Sequence, residues 1–473
     1  MKNHFHQIWL VASRELRDQM RDWRIIFPMI ALTVFFPFLM IFTARFAVDF
    51  VNKYGAGLVG ERMVPFLLMV VGFFPVTVAL VVALEAFVGE KERGTIEPLL
   101  SSPLADWTLY LGKLSAGTVF PLVAAYLGIS VYLVGLHTSN IQLPDVSMLA
   151  QTLVLTTAQG ILMVSGAILI SAQSTTVRGA NLLASFVIIP IALLIQGESV
   201  LMFWGTNEVL WLAVIGVSII SVLLIRLGLA HFRRESLLGR EIDMLNLKHM
   251  GGVFKNRFMG GTHNFWNWYK NCVSTLYTMR FSILVVIVLG IIAAFGTYYF
   301  AVAKLPEILK SINGGDSEQI IDLVAERLNL ETPQISFRYI FLNNIRALFV
   351  MLIFGAMTLG VGGMLAYMLN IGLVGGVLGF AGEIGFSPGK MFLVGVLPHG
   401  IFEITAIVLA SAAILHMGVL LVTPDPERTI GQVLVESFAD WFKIMAAFGV
   451  PLLIVAAVIE SNITPQLIIS FLK

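Results

Sequence analysis

The chain is built from long, uninterrupted apolar runs that are separated by short polar segments. Most runs have about 20 residues, which is the length that an α-helix needs to cross the hydrocarbon core of a bilayer. Strands of a membrane barrel would instead show about 10 residues of alternating polarity. The pattern therefore predicts an all-α polytopic membrane protein, with spans at 25–44, 63–84, 114–135, 148–171, 179–197, 209–225, 281–302, 391–417 and 444–459.

A Gly-rich apolar stretch at 347–382 complicates the number of spans. At about 1.5 Å per residue it is too long for one helix and short for two helices with a turn. Two helices fit if the first begins near Tyr339, with Arg346 snorkelling or paired. The chain then has about 11 transmembrane helices, six before and five after a polar stretch at 231–270, and the C-terminus lies outside.

Two polar segments predict additional helices that do not cross the membrane. The segment 6–23 mixes apolar and charged residues at helical spacing, which is typical of an N-terminal interfacial helix. The segment 305–333 also repeats apolar residues at helical spacing, and it predicts a surface helix in an outside loop.

The basic and aromatic stretch at 231–270 also predicts the domain organisation. We expect one membrane domain at 1–240, a basic cytoplasmic linker at 241–278 that lies on an anionic leaflet, and a second membrane domain at 279–473. No period of about 20–50 residues repeats along the chain, so the two membrane domains are not copies of each other.

The composition excludes a soluble protein, since 58% of the residues are hydrophobic and only 12% are charged. A net charge of +1 does not indicate a nucleic-acid partner. Five Lys and Arg residues precede the first span, whereas the loops at 136–147 and 198–208 contain no Lys or Arg. This distribution predicts a cytoplasmic N-terminus. Cys272 is the only cysteine, which excludes an internal disulfide and a thiolate zinc cluster.

The segment between the second and third spans carries the most informative polar pattern. Glu85 lies inside the end of the second span, where a carboxylate costs about 2.5–3.5 kcal/mol unless it reaches water or a cation. Gly94 and Pro103 bound a short rigid helix near 95–101, whose charges can dock into a groove of a partner. The candidate partner-contacting residues are Glu85, Glu90, Lys91, Glu92, Arg93, Gly94, Thr95 and Glu97. For Glu85 alone, solvation at the membrane interface is the alternative.

Residues 90–97 have the order Glu-Lys-Glu-Arg-Gly-Thr-Ile-Glu, and they are followed by Leu99-Leu100, Pro103 and Gly112-Lys113. This order closely resembles the cytoplasmic hairpin of type-two ABC exporter permeases. The resemblance covers about 5–240 and is greatest to the sodium-extruding permeases. It implies that residues 90–113 couple the chain to an ABC ATPase subunit, and that a permease dimer works with two such subunits. It also implies an elbow helix at 14–18, for which a positive-inside anchor is the alternative.

The ATP-binding site is expected on another chain. The string from Gly385 to Gly389-Lys390 is one residue too short for the G-x-x-x-x-G-K motif of ATPases. ATP and Mg²⁺ would therefore be used by the partner subunit, and we expect no cofactor bound directly to this chain. The resemblance implies a multi-pass location in the cell (plasma) membrane of a prokaryote.

From about Ser336 onward the chain resembles stage II sporulation protein M and its wider membrane family. The matching strings are Phe341-Leu342-Asn343-Asn344, Asn370-x-Gly372-x-x-Gly375, Pro398-His399-Gly400-x-x-Glu403 and Ala456-Ala457-x-Ile459-Glu460. This resemblance implies about five spans, in agreement with the count above. In the sporulation system such a protein anchors cell-wall hydrolases and is not itself known as an enzyme.

His399 and Glu403 are one helical turn apart and share a face of their helix. Inside a membrane they should face one another, Asn344, Asn370 or Glu460 rather than lipid. The residues are consistent with an ion or proton site, with a partner-binding site and with a hydrogen-bonded latch between helices. A catalytic zinc site is disfavoured, because the second His of H-E-x-x-H is missing and no third ligand is evident.

Three functions remain open at the level of sequence. The leading prediction is the permease subunit of an ATP-driven ABC exporter, with no catalytic residues of its own. The first alternative is a membrane scaffold that recruits a cell-envelope protein on the outer face without transport. The second alternative is an intramembrane metallo-hydrolase that uses His399 and Glu403. The transported substrate is not predicted.

Overall fold

The computed structural model describes residues 2–54, 57–97, 101–174, 176–204, 207–232, 247–262, 264–313, 336–383, 385–423 and 428–472. Within these ranges all regular elements are helices. Ten of them are long and apolar enough to cross a membrane, which confirms the all-α polytopic fold. The chain folds as two compact units, Met1–Met244 with Val422–Pro424, and Leu245–Leu421 with Asp425–Lys473.

The first unit contains one polar helix followed by six long apolar helices. They are α1 (Lys2–Gln19), α2 (Trp23–Tyr54), α3 (Gly57–Glu92), α4 (Asp106–Thr138), α5 (Val146–Gln173), α6 (Val177–Trp204) and α7 (Asn207–His231). Each predicted apolar run lies inside one of these helices, and the helices extend into the flanking polar residues. The interfacial segment at 6–23 is largely helical, as expected.

α6 differs from its prediction. The run at 179–197 is expected to end in a loop at 198–208, but the helix continues to Trp204. α6 is a helix but is not among the ten candidate spans, so ten of the eleven predicted spans meet the length and apolarity criterion within the described residues. The extension places Glu198 within a helix rather than in a loop.

α3 is the central helix of the first unit and packs against α2, α4, α5 and α6. It contributes Leu68 and Val71 to a fully buried cluster with Ile129 and Tyr132 of α4. The hydroxyl of Tyr132 donates a hydrogen bond of 3.2 Å to the carbonyl of Val64, which satisfies the buried phenol.

The second unit contains the remaining helices. They are α8 (Leu247–Met259), α9 (Phe265–Thr278), α10 (Arg280–Asn313), α11 (Phe337–Met357), α12 (Val361–Glu383), α13 (Pro388–Met391), α14 (Leu397–Leu421), α15 (Ile430–Ile444), α16 (Val450–Asn462) and α17 (Thr464–Leu472). π-helical turns at Phe392–Val396 and Met445–Gly449 join α13 to α14 and α15 to α16. The surface helix predicted at 305–333 lies mostly outside the described residues.

The Gly-rich stretch forms two helices, α11 and α12, as the two-helix interpretation predicts. The turn between them uses left-handed backbone at Leu359 (φ 53°) and Gly360 (φ 92°), and the Gly360 N–H donates 2.7 Å to the Gly355 carbonyl. Gly375 lets α12 approach α10 closely, because a Cβ there would lie 2.0 Å from the Ala294 carbonyl oxygen. The predicted glycine pattern therefore serves close helix packing.

The segment interpreted as a linker includes two helices, α8 and α9, that pack against α15. Arg257 of α8 donates bidentately to the Asp440 carboxylate at 2.7 and 2.9 Å. This hydrogen bonding raises the pKa of Arg257 above its usual value. Lys443, also buried, donates 3.3 Å to Asp440 and 3.0 Å to Asn271 of α9. The basic segment is thus anchored by buried charges on α15.

The last predicted span at 444–459 is only the second part of a longer helical stretch. α15 begins at Ile430, where Thr429 and Gln432 form a reciprocal capping box. The buried Asp440 and Lys443 interrupt the apolar run in sequence, which is why the apolar pattern misses the beginning of this helix.

Candidate functional sites

Lys113 is the centre of a buried ionic junction in the first unit. Its ammonium group donates 2.9 Å to Glu15 Oε1, 2.9 Å to Glu90 Oε1 and 2.7 Å to the Ala86 carbonyl. The Lys113 side chain is only 1% exposed. Three helices, α1, α3 and α4, therefore meet at one cation. We call Lys113, Glu15 and Glu90 the ionic junction.

The glycine that precedes Lys113 allows the junction to form. A Cβ at Gly112 would lie 2.6 Å from the Cβ of Val11 on α1, so only glycine permits α1 to approach α4 this closely. This contact gives a physical reason for the Gly112-Lys113 pair in the predicted motif. The glycine brings the elbow helix close, and the lysine binds its Glu15.

Lys91 and Glu92 tie the end of α3 to the connection between α5 and α6. The Lys91 ammonium group donates 2.8 Å to the Ala172 carbonyl and 2.9 Å to the Ser174 carbonyl. Glu92 Oε1 accepts 2.7 Å from the Val177 backbone N–H. The end of α3 is therefore bound on two sides, to α1 and α4 through Glu90 and to the α5–α6 connection through Lys91 and Glu92.

α3 ends at a Schellman turn around Gly94. The Thr95 N–H donates 3.0 Å to the Glu90 carbonyl, and the Gly94 N–H donates 3.2 Å to the Lys91 carbonyl. Gly94 has φ 68°, which a residue with a Cβ adopts only with strain. The Ser101 N–H donates 2.9 Å to the Glu97 carbonyl, a helical spacing that fits the predicted short helix. Residues 98–100 of that helix lie outside the described residues.

The remaining predicted contact residues are exposed. Glu85 and Arg93 form an ion pair at 3.8 Å with side chains 50% and 70% exposed, so Glu85 lies on the protein surface beside a cation and is not packed between helices. Thr95 and Glu97 are also exposed, whereas Ile96 between them is buried. The eight predicted residues thus include an anchored set, Glu90, Lys91 and Glu92, and an outward set, Arg93, Gly94, Thr95 and Glu97, which we call the exposed turn.

A buried polar pair in the first unit is not evident from the sequence. Glu198 of α6 is 3% exposed, and its Oε2 accepts a hydrogen bond from the Gln159 amide of α5. Its Oε1 has no hydrogen-bond partner among the described residues. The only signal in the sequence is a carboxylate directly after an apolar run, a position that is equally typical of the beginning of a loop.

The second unit brings together four of the five predicted intramembrane polar residues. Ligand atoms of His399, Glu403 and Glu460 lie within 4.8 Å of one another, and His399 Nε2 is 4.0 Å from Glu403 Oε2. Asn344 of α11 interacts with Glu403, and its buried Nδ2 makes no hydrogen bond within the described part of the chain. Asn370 lies on α12, and no hydrogen bond or ion pair between it and these four is present in the described residues.

The His399 ring is held by a residue that the sequence pattern does not identify. Its Nδ1 lies 3.1 Å from the Thr464 hydroxyl at the beginning of α17. This contact directs Nε2 toward Glu403. α11, α14 and α16 pack against one another, so the three ligands on α14 and α16 lie beside Asn344 of α11. We call His399, Glu403 and Glu460 the His–Glu–Glu cluster.

Comparison with known proteins finds a different family for each part of the chain. Residues 9–210 match the family model of ABC-2 family transporter proteins, and residues 281–465 match that of stage II sporulation protein M. An uncharacterized protein of Methanocaldococcus jannaschii is 29% identical over 143 residues, which are 28% of this chain and 75% of that protein. The probable ABC transporter permease protein NosY of Pseudomonas aeruginosa is 32% identical over 126 residues, which are 26% of this chain and 42% of NosY.

Both predicted resemblances are therefore confirmed, and the chain joins a segment of ABC-2 transporter type to a segment of stage II sporulation protein M type. Together with the ten apolar helices, the matches show a multi-pass membrane protein with the features of a transmembrane transporter subunit. The alignment spans less than half of NosY.

Proposed function

We propose that this chain is the permease subunit of an ATP-driven ABC exporter in the cell membrane, and that its exposed turn receives force from an ATPase on another chain. The observation that carries the proposal is the division of one charged motif into an anchored set and an exposed set. Glu90 and Lys91 bind other helices of the permease, whereas Arg93, Thr95 and Glu97 face outward.

The anchored set explains how force on the exposed turn would reach the spans. Removing one partner of a buried ion pair costs about 3–5 kcal/mol, so α1, α3 and α4 resist separation at the ionic junction. Lys91 and Glu92 add the α5–α6 connection to the same body. A displacement of the exposed turn would therefore move several spans together rather than bend a loop.

The exposed turn has the features of a docking surface. Its charges can form ion pairs with a partner, and Ile96, which is 6% exposed, holds the turn against the permease. Charged residues at the rim of an interface contribute mainly to the rate and specificity of association. A charge reversal on this turn should accordingly weaken ATPase binding while the permease remains folded.

Co-purification tests the proposal. The tagged chain is isolated from native membranes in mild detergent, and vanadate-sensitive ATP hydrolysis is measured in the eluate. We expect an ATPase subunit to co-purify with the wild-type chain and not with the Glu97→Lys variant. The matched control is Asp145→Lys. Asp145 is also an exposed carboxylate, but it precedes the first residue of α5, whereas Lys91 binds the last turn of that helix. Equal ATPase recovery with Glu97→Lys and wild type would contradict docking at the exposed turn.

A scaffold function is the second candidate, and the stage II sporulation protein M match over 281–465 favours it. In that case the second unit would recruit an envelope protein on the outer face, and the chain would transport nothing. Recovery of envelope proteins without any ATPase in the same purification would support this candidate over the exporter.

A further inference from the structure

We infer that the His–Glu–Glu cluster binds a divalent transition-metal cation, with Zn²⁺ as the best fit. Two carboxylates and one imidazole converge from α14 and α16, and their ligand atoms lie within 4.8 Å of one another. The sequence alone shows no third ligand beside His399 and Glu403. The fold supplies Glu460, which lies 57 positions after Glu403 in the chain.

The charge of the cluster favours a cation. Glu403 and Glu460 lie close together inside a helical bundle, and within the described residues neither forms an ion pair with Lys or Arg. Two carboxylates in such surroundings repel each other and lose hydration, so they require either protons or a counter-cation. A divalent cation would neutralise both while using the imidazole as a neutral ligand.

The imidazole is oriented as metal-binding histidines are. Such residues usually hydrogen-bond through one ring nitrogen and bind the metal through the other. Here Nδ1 contacts the Thr464 hydroxyl at 3.1 Å, and Nε2 faces the carboxylates. The side chains of His399 and Glu403 are 13% and 22% exposed, so neither is completely enclosed by the protein.

The geometry requires only a small contraction. Zinc bonds to nitrogen and oxygen are about 2.0–2.2 Å, so ligands of a tetrahedral site lie about 3.4 Å apart. The His399–Glu403 separation is 4.0 Å and all three ligand atoms lie within 4.8 Å of one another, so binding requires these separations to shorten by about 0.6–1.4 Å. A nitrogen ligand with two carboxylates suits Zn²⁺ or Mn²⁺ better than Mg²⁺ or Ca²⁺, which prefer oxygen ligands.

Two further features support a built site. The helix that carries His399 and Glu403 follows a π-helical turn at Phe392–Val396, which ends three residues before His399. Such turns occur frequently at functional sites. In addition, Asn344 of α11 interacts with Glu403, so its amide can support a ligating carboxylate.

Metal binding can be measured on the full chain, purified in detergent with a tag that contains no histidine. After treatment with chelator, ZnCl₂ is added, excess metal is removed by gel filtration, and zinc is quantified by mass spectrometry. We expect about one Zn²⁺ per chain in wild type and at least a tenfold weaker affinity in His399→Gln and Glu460→Gln. We also expect Zn²⁺, but not Mg²⁺, to raise the melting temperature of wild type.

Matched controls distinguish this site from nonspecific binding. His416→Gln removes a histidine of the same helix α14 that lies outside the cluster, and Glu383→Gln removes an exposed carboxylate at the end of α12. Both should retain wild-type zinc content. Failure of wild type to retain zinc, or equal zinc in the cluster variants and in wild type, would overturn the inference. The zinc content of wild type decides the question even if a cluster variant does not fold, and it is independent of ATPase binding.

Discussion

The ammonium group of Lys113 lies 2.9 Å from the carboxylate of Glu90, and both residues belong to the motif that resembles a coupling hairpin. The two motif residues therefore bind each other within the permease rather than a partner. Loss of ATPase binding after a change at Glu90 would have two explanations, damage to the junction or damage to docking. Residues of the exposed turn avoid this ambiguity, because their side chains stabilise the permease little.

Replacing Lys113 by Met should destabilise the first unit. The substitution keeps an unbranched side chain that is one heavy atom shorter, but it leaves Glu15 and Glu90 without their shared cation, at a cost of about 3–5 kcal/mol. The melting temperature of the detergent-purified chain should fall by several degrees. The control is Arg93→Met, which removes an exposed pair worth about 0–1 kcal/mol and should leave the melting temperature nearly unchanged. Equal melting temperatures for Lys113→Met and wild type would contradict the ionic junction.

Replacing Arg257 by Leu should loosen α8 from the second unit. Asp440, whose side chain is 4% exposed, would lose a bidentate partner and keep only Lys443, at a cost of about 1.5–3 kcal/mol. Faster proteolysis at 247–259 and a lower melting temperature are expected. Lys255→Leu on the exposed surface of the same helix is the control, and a similar loss of stability in both variants would argue against the Asp440 contact.

Substitutions of Glu198 should separate hydrogen bonding from charge. Glu198→Leu leaves the Gln159 amide without its acceptor in a buried position, at a cost of about 1–3 kcal/mol. Glu198→Gln retains an acceptor oxygen and removes the charge, so its melting temperature should match that of wild type or exceed it. A Glu198→Gln protein as unstable as the Glu198→Leu protein would contradict this account and show that the charge of the carboxylate is required.

Cys272 should be unreactive in the folded protein. Burial raises the pKa of its thiol, so at pH 7–8 a smaller fraction is present as the reactive thiolate than in an exposed cysteine. A maleimide should label Cys272 only after denaturation in SDS. An introduced cysteine at the exposed Thr95 should be labelled readily in the native protein. Rapid labelling of Cys272 in native wild type would contradict its burial.

The spans could be predicted from sequence because the thickness of a bilayer sets both the length and the apolarity of a crossing helix. The same criterion fails wherever charge lies inside a helix. It excludes Glu198 from the fifth predicted span, and it misses the beginning of α15 because Asp440 and Lys443 interrupt the apolar run. Buried charges that are paired inside the protein look the same in sequence as charges that mark a loop.

The motifs identify the correct segments but not which residues pair with each other. Glu15 and Lys113 are 98 positions apart, and only the packing of α1 on α4 at Gly112 brings them together. Likewise, the helical spacing of His399 and Glu403 follows from sequence, whereas Glu460 and Thr464 join them only through the packing of α14 with α16 and α17. Long-range contacts of this kind leave no local pattern.

The measurement that tests the exporter proposal most directly is photo-cross-linking from the exposed turn. A photoreactive amino acid replaces Thr95, cells are irradiated, and the cross-linked protein is identified by mass spectrometry. The control is the same substitution at Ser147, which is exposed at the opposite end of α5. We predict that Thr95 cross-links to a chain with a G-x-x-x-x-G-K motif and that Ser147 does not. Cross-links from Thr95 to lipid or to other proteins, with no nucleotide-binding chain among them, would contradict the account.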